Sequence, residues 1–203
     1  MTRCSSTVVA RIGVLALQGD VSEHIDAFRS AARTFGSEAS LEVLAVRKPA
    51  EIPHLDAVAI PGGESTTISR LIDKFGFYSP LVEFEGGMFA TCAGMVLMAR
   101  EVDDPRVHPL GLMDYAAKRN AFGRQRESFE ADIGIAGLDR PFHAVFIRAP
   151  VAEHPGNGIK VLGSCPEGIV ALEQGRHMAL SFHPELGNDP RLHIRFLKNC
   201  GLV

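Results

Sequence analysis

The chain has 203 residues, 46% hydrophobic and 22% charged, the balance of a globular protein with one sizeable core rather than of a disordered or fibrous chain. Its 21 basic and 24 acidic residues leave a net charge of −3, with no basic stripe to neutralise a nucleic-acid backbone. No segment has the length and apolarity to span a bilayer. The expectation is therefore a single domain over residues 1–203, in the cytoplasm, with neither nucleic acid nor membrane as partner.

In chain order, Ile12–Leu17 is a short apolar run that reads as a strand, followed by a turn at Gln18-Gly19-Asp20. Val21, Ile25, Phe28 and Ala32 then recur at helical spacing, and Asp20 with Glu23 three residues on predicts a capped helix start. Leu41–Val46 and Ala57–Ile60 read as strands buried on both faces of a parallel sheet. After Pro61-Gly62-Gly63, the spacing of Ile68, Leu71, Ile72 and Phe75 predicts a helix ended by Gly76. Met88–Thr91 is a further strand leading into Cys92, and Ala93–Ala99, apolar nearly all round, reads as a buried helix. Ser128–Ile133, Ala144–Ile147, Val161–Gly163, Ile169–Glu173 and Met178–Phe182 are strand candidates, some of them antiparallel, and Leu192, Phe196, Leu197 and Cys200 mark a closing helix. This alternation predicts an α/β domain with an open, mostly parallel sheet and a site at the carboxyl ends of its strands.

Four cysteines, Cys4, Cys92, Cys165 and Cys200, are widely spaced, which disfavours both a disulfide framework and a zinc site. Only Cys92, in Ala90-Thr91-Cys92-Ala93-Gly94, stands between a strand and a helix, the setting of a nucleophile elbow. There the Ala93 amide points where an oxyanion forms, and the helix start favours a thiolate. On this cysteine alone, a buried structural role is as good a reading; for the other three it is the better one. His183-Pro184-Glu185 follows a strand and offers a histidine base with a carboxylate to orient it. An H-x-E string also occurs in zinc deaminases, but the P-C-x-x-C partner they require is missing. His24, His54, His108, His143, His154, His177 and His193 read as solvated or structurally satisfied. Gly62-Gly63 presents bare amides that suit a phosphate or an oxyanion, without the lysine of a P-loop.

Taken together, these residues resemble the class I (triad) glutamine amidotransferases, and within them the PdxT/SNO family of glutaminase subunits of pyridoxal phosphate synthase. The resemblance spans nearly the whole chain. It rests on Leu17-Gln18-Gly19-Asp20, Pro61-Gly62-Gly63-Glu64-Ser65-Thr66-Thr67, Thr91-Cys92-Ala93-Gly94, Arg119-Asn120-Ala121-Phe122-Gly123-Arg124-Gln125, Phe146-Ile147-Arg148-Ala149 and Ser181-Phe182-His183-Pro184-Glu185-Leu186. It implies a flavodoxin-like three-layer fold with Cys92 as nucleophile, His183 as base and Glu185 as orienter. It further implies L-glutamine held by Gly63, Glu64, Ser65, Arg119, Ile147 and Arg148, with an oxyanion hole at Gly63 and Ala93. No cofactor and no metal are implied. The implied partner is a (β/α)-barrel synthase subunit in a large hetero-oligomer, which takes up the ammonia for pyridoxal phosphate synthesis.

Two positions depart from the family pattern. Ala90 stands where glycine is usual, and Tyr115-Ala116-Ala117-Lys118 replaces a more apolar, acidic stretch. The rival readings are a glutaminase serving another synthase, against which the G-G-E-S-T string argues, a stress-type cysteine hydrolase or chaperone, which usually lacks H-P-E, and a non-catalytic subunit.

Overall fold

The computed structural model describes residues 9–36, 40–123 and 128–203; Cys4, Arg124 and Gln125 lie outside them. Among the described residues the chain begins with β1 (Ala10–Leu15), α1 (Val21–Thr34), β2 (Leu41–Val46), β3 (Ala57–Ile60), α2 (Ser65–Lys74), α3 (Tyr78–Val82), β4 (Gly87–Thr91) and α4 (Ala93–Met98). It continues with β5 (Ala99–Val102), β6 (Met113–Lys118), β7 (Ser128–Ile133), β8 (Phe142–Ile147), β9 (Val151–Glu153), β10 (Lys160–Cys165), β11 (Gly168–Gln174), β12 (His177–Leu180) and α5 (Arg191–Asn199).

Ten of the described strands form one sheet, in the order β2-β1-β3-β4-β12-β11-β9-β6-β5, with β10 also pairing β11. The half that runs from β2 to β12 is parallel throughout. Around β11 the pairs turn antiparallel, and β5–β6 is parallel again. The order β2-β1-β3-β4 is that of a flavodoxin-like sheet, whose strand order reverses at β1 and opens a crevice at the carboxyl ends there.

Alternation along each central strand sends side chains into two cores. Ala57 and Ala59 face one, together with Phe28 of α1 and Leu192, Phe196 and Leu197 of α5. Val58 and Ile60 face the other, with Ile68 and Ile72 of α2 and all six residues of α4 except Gly94. Helices thus cover both faces, giving three layers. Phe28, Phe89 and Phe196 are fully buried and meet one another with ring centroids 5.3 to 6.0 Å apart; each contributes ~2 kcal/mol by leaving water. A separate antiparallel ribbon, β7–β8, packs beside the α1/α5 layer through Phe129 and Phe146, stacked at 4.7 Å.

Several details differ from the sequence reading. The first strand ends at Leu15, because residues 16–20 must turn to carry Gln18 and Asp20 toward the crevice. Asp20 stands at the start of α1 but makes no side-chain cap; its carboxylate faces His183 instead, so the expected capping box does not form. The buried stripe of α1 is His24, Phe28, Ala31 and Ala32, rotated from the expected one, with Val21 and Ile25 only partly covered. Ala99 opens β5 rather than closing α4, and Ser181 and Phe182 lie past the end of β12. The elements α3, β5, β6 and β9 were not expected.

Both departures from the family pattern are absorbed. Ala90 lies in β4, fully buried, and is not among the positive-φ residues, so its methyl costs no backbone strain. Tyr115 is fully buried and its hydroxyl donates to the Met95 carbonyl of α4, while Lys118 makes an exposed pair with Glu153.

His193 of α5 is fully buried between Phe28 and Phe89, and neither ring nitrogen has a hydrogen-bond partner among the described residues. Burial, with the neighbouring His24, pushes its pKa down to about 3. The unfolded chain therefore binds a proton below pH ~6.5 that the native chain refuses, and stability is lost by up to ~1.4 kcal/mol for each unit that pH is lowered through that window. Denaturant midpoints of wild type and His193→Leu should diverge between pH 7 and pH 4, with the variant losing less; parallel curves would contradict this.

Candidate active site

Cys92 occupies the tight turn from β4 into α4. Its backbone lies at φ 47°, ψ −104°, a conformation L-residues adopt only when the surroundings impose it. Two features impose it. The Cys92 amide donates to the Leu180 carbonyl of β12 at 2.8 Å, and Gly94 lets α4 start directly against β3, since a Cβ there would meet the Ile60 carbonyl oxygen at 2.2 Å. The thiol is nearly covered, and its sulfur lies 3.6 Å from the Ile147 carbonyl oxygen at the end of β8.

The parallel pairing of β12 with β4 brings His183, just past β12, beside Cys92. The His183 amide donates to the Val145 carbonyl at 2.9 Å, so the β7–β8 ribbon and the main sheet both fix its backbone. Its Nδ1 lies 2.7 Å from Glu185 Oε1. An ionised carboxylate only accepts, so the proton belongs on Nδ1 and leaves Nε2 for the thiol. Burial disfavours the charged ring, yet hydrogen bonding to Cys92 and Glu185 and their charges raise its pKa well above the ordinary value. The ring also leans on the loop after β3, where a Cβ on Gly62 would sit 2.3 Å from His183 Cε1; only glycine allows that approach.

Glu185 sits behind the histidine, fully out of solvent at its side chain. Burial raises its pKa, but the charge of His24 and the hydrogen bonds of His183 and His24 reverse this and hold it well below the usual carboxylate range. His24 Nε2 lies 3.3 Å from Glu185 Oε1 and 3.0 Å from Thr91 Oγ1. Asp20 Oδ2 is 3.3 Å from His183 Nδ1 on the more open side. Asp20, His183 and Glu185 offer ligand atoms within 4.8 Å of one another, the spacing a metal ion would need, but these atoms already bind each other.

A cavity of about 580 Å³ opens above Cys92, the size of a small-molecule site. Gly63, Glu64, Ser65, Arg119, Ile147 and Arg148 all line it, together with Cys92, Ala93 and His183. Ala93 is the first residue of α4, so its N–H has no acceptor within the helix. Glu64 caps α2: its carboxylate accepts from the amides and hydroxyls of Thr66 and Thr67. Those bonds outweigh burial and hold its pKa at about 2. Arg119 bonds Glu64 Oε1 at 3.1 Å and pairs with Asp104, whereas Arg148, at φ 43°, is exposed and makes no ion pair among the described residues. The Glu64 amide donates to Gln18 Oε1 at 3.2 Å, which ties the loop after β3 to the turn after β1.

The candidate triad, oxyanion and glutamine-binding residues thus converge, with Glu185 behind the wall of the cavity rather than in it. Cys165 and Cys200 lie elsewhere, bonded to main-chain carbonyls, and burial raises both thiols. His24, Thr91, Asp20, Gln18 and Asp104 were not foreseen. His24 is the one titratable residue on the buried stripe of α1, a stripe rotated from the one the sequence predicts.

An elbow cysteine, a carboxylate-bound histidine and a flavodoxin-like sheet define the glutamine amidotransferase class. The SNO glutamine amidotransferase family model matches residues 14–202. The chain is 63% identical over 193 residues to pyridoxal 5'-phosphate synthase subunit PdxT of Methanoregula boonei, covering 95% of this chain and all of that one. The same-named protein of Methanosphaerula palustris is also 63% identical, with 95% and 98% covered. A crystal structure of a glutamine amidotransferase superposes with a TM-score of 0.82 at 43% identity, covering 94% of this chain and 98% of that one. The chain belongs to the SNO glutamine amidotransferase family.

Gly62→Ala should push the imidazole off its seat. Misplacement by about 1 Å costs roughly a hundredfold in rate, so alkylation of Cys92 by iodoacetamide at neutral pH should slow by at least tenfold. An unchanged rate would show that the loop does not seat the ring.

Proposed function

We propose that this chain is the glutaminase subunit of a pyridoxal 5'-phosphate synthase, hydrolysing L-glutamine to L-glutamate and ammonia. The observation that carries the reading is the His183 imidazole held between Cys92 and Glu185 at the floor of a cavity roomy enough for an amino acid. His183 Nε2 takes the Cys92 proton as sulfur attacks the carboxamide carbon. Negative charge gathers on the carboxamide oxygen, within reach of the amides of Gly63 and Ala93. The histidine returns its proton to the leaving nitrogen, ammonia departs and a glutamyl thioester remains on Cys92. The same ring then activates water to release glutamate.

The other roles follow from charge. Arg148, without a protein counter-ion among the described residues, meets the substrate carboxylate. Glu64 and Arg119, already paired, form a fixed wall with Ser65 and the Ile147 main chain, and Glu64 stays ionised to accept from the substrate ammonium. The names of the relatives support a synthase subunit as partner. We take that partner to be a (β/α)-barrel assembled with this chain in a large hetero-oligomer that receives the ammonia directly. Residues 1–203 act as one domain in the cytoplasm, a reading supported by the continuous sheet and the free thiols of Cys92, Cys165 and Cys200.

Cys92→Ala should abolish ammonia release from glutamine with the melting temperature little changed; retained turnover would eliminate this nucleophile. Arg148→Ala should raise KM for glutamine by roughly tenfold or more, the loss of one charge-assisted contact, with kcat less affected. An unchanged KM would remove Arg148 from substrate binding. Adding the synthase subunit should accelerate the isolated chain, and equal rates would argue against activation by docking.

A further inference from the structure

We propose that His24 is a positioning residue for the triad carboxylate, and through it for His183; this rests on the triad reading above. His24 belongs to α1 and does not line the cavity. It is fully buried, and its Nε2 faces two oxygens, Glu185 Oε1 at 3.3 Å and Thr91 Oγ1 at 3.0 Å. Its Nδ1 has no hydrogen-bond partner among the described residues.

Because an ionised carboxylate can only accept, the contact requires the proton on His24 Nε2. That N–H would then face both the carboxylate at 3.3 Å and the threonine hydroxyl at 3.0 Å. Glu185 Oε1 therefore faces two imidazole nitrogens, His183 Nδ1, hydrogen-bonded at 2.7 Å, and His24 Nε2 at 3.3 Å, while Oε2 has no partner among the described residues. A carboxylate whose one oxygen is approached by both rings cannot rotate away from His183 without leaving His24 as well. Thr91 adjoins Cys92 in sequence, so the same bond links the carboxylate to the strand that presents the nucleophile.

Other titratable neighbours do not fill this role. Asp20 approaches His183 from the open side and, if anything, competes for its Nδ1. His193 lies beyond His24 at 6.4 Å between ring centroids and has no hydrogen bond to either. His24 is thus the group that keeps Glu185 ionised and aimed.

The test uses the full chain with three substitutions. His24→Leu keeps volume and removes the donor, whereas His24→Gln retains an amide N–H that reaches the same carboxylate. In the leucine variant kcat for glutamine should fall by roughly tenfold or more, the worth of a hydrogen bond to a charged group, with KM nearly unchanged. The pH at which Cys92 becomes reactive to iodoacetamide should rise in the leucine variant. His24→Gln should restore most of both. If the leucine variant does not fold, His24→Asn, whose amide stops one methylene short, should show the same losses. Wild-type kcat and alkylation profile in folded leucine or asparagine variants would overturn the proposal, as would glutamine failing to rescue. Cys92→Ala is run alongside: its turnover surviving would defeat the triad reading itself, whereas its loss beside unaffected His24 variants would defeat only the role of His24.

Discussion

A carboxylate removed from water is the constraint on which the site depends. Glu185 has no solvent at its side chain, and an unpaired charge there would cost several kcal/mol or simply take up a proton. It is kept ionised because two imidazoles face it, and removing one partner of such a buried pair costs about 3–5 kcal/mol. The consequence reaches outward. An ionised Glu185 fixes the tautomer of His183, the tautomer turns Nε2 toward Cys92, and the raised basicity of the ring suits it to take and return a proton.

The fold supplies this arrangement through backbone rather than through side-chain reach. The carboxyl ends of β3, β4 and β12 are adjacent in the sheet, so Gly62, Cys92 and His183 emerge side by side although they are far apart in sequence. The strained turn at Cys92 is pinned by the Leu180 carbonyl on one side and the close approach of Gly94 to Ile60 on the other. The ribbon β7–β8 then closes the site from above, its end placing the Ile147 carbonyl against the sulfur and Arg148 at the rim of the cavity.

Much of this was legible in the sequence where the signal is local. The central strands are short apolar runs bounded by turns, and β2 and β3 fall on the expected residues. The elbow and the H-P-E string carry their chemistry in adjacent residues. What was not legible depends on distant contacts. The three-residue β9 gives too little pattern to read, and β6 mixes aspartate, alanine and lysine into a strand buried by its neighbours. Asp20 looks like a cap by spacing, but its carboxylate turns to the His183 ring across the crevice rather than to the helix amides. His24 reads as solvated or structurally satisfied, because its place on the buried stripe of α1 says nothing of the carboxylate it meets behind β4. Arg119, a glutamine ligand by resemblance, also pairs with Glu64 and Asp104, which only the fold brings near.

The central claim is that the sulfur of Cys92, activated by its buried histidine and carboxylate, carries the substrate acyl group. Rapid acid quenching during turnover of glutamine, followed by intact-mass and peptide analysis, addresses it directly. A glutamyl adduct on the peptide containing Cys92, lost in the presence of hydroxylamine, is the predicted result. Steady ammonia release with no adduct there, or with the adduct on Cys165 or Cys200, would contradict the account.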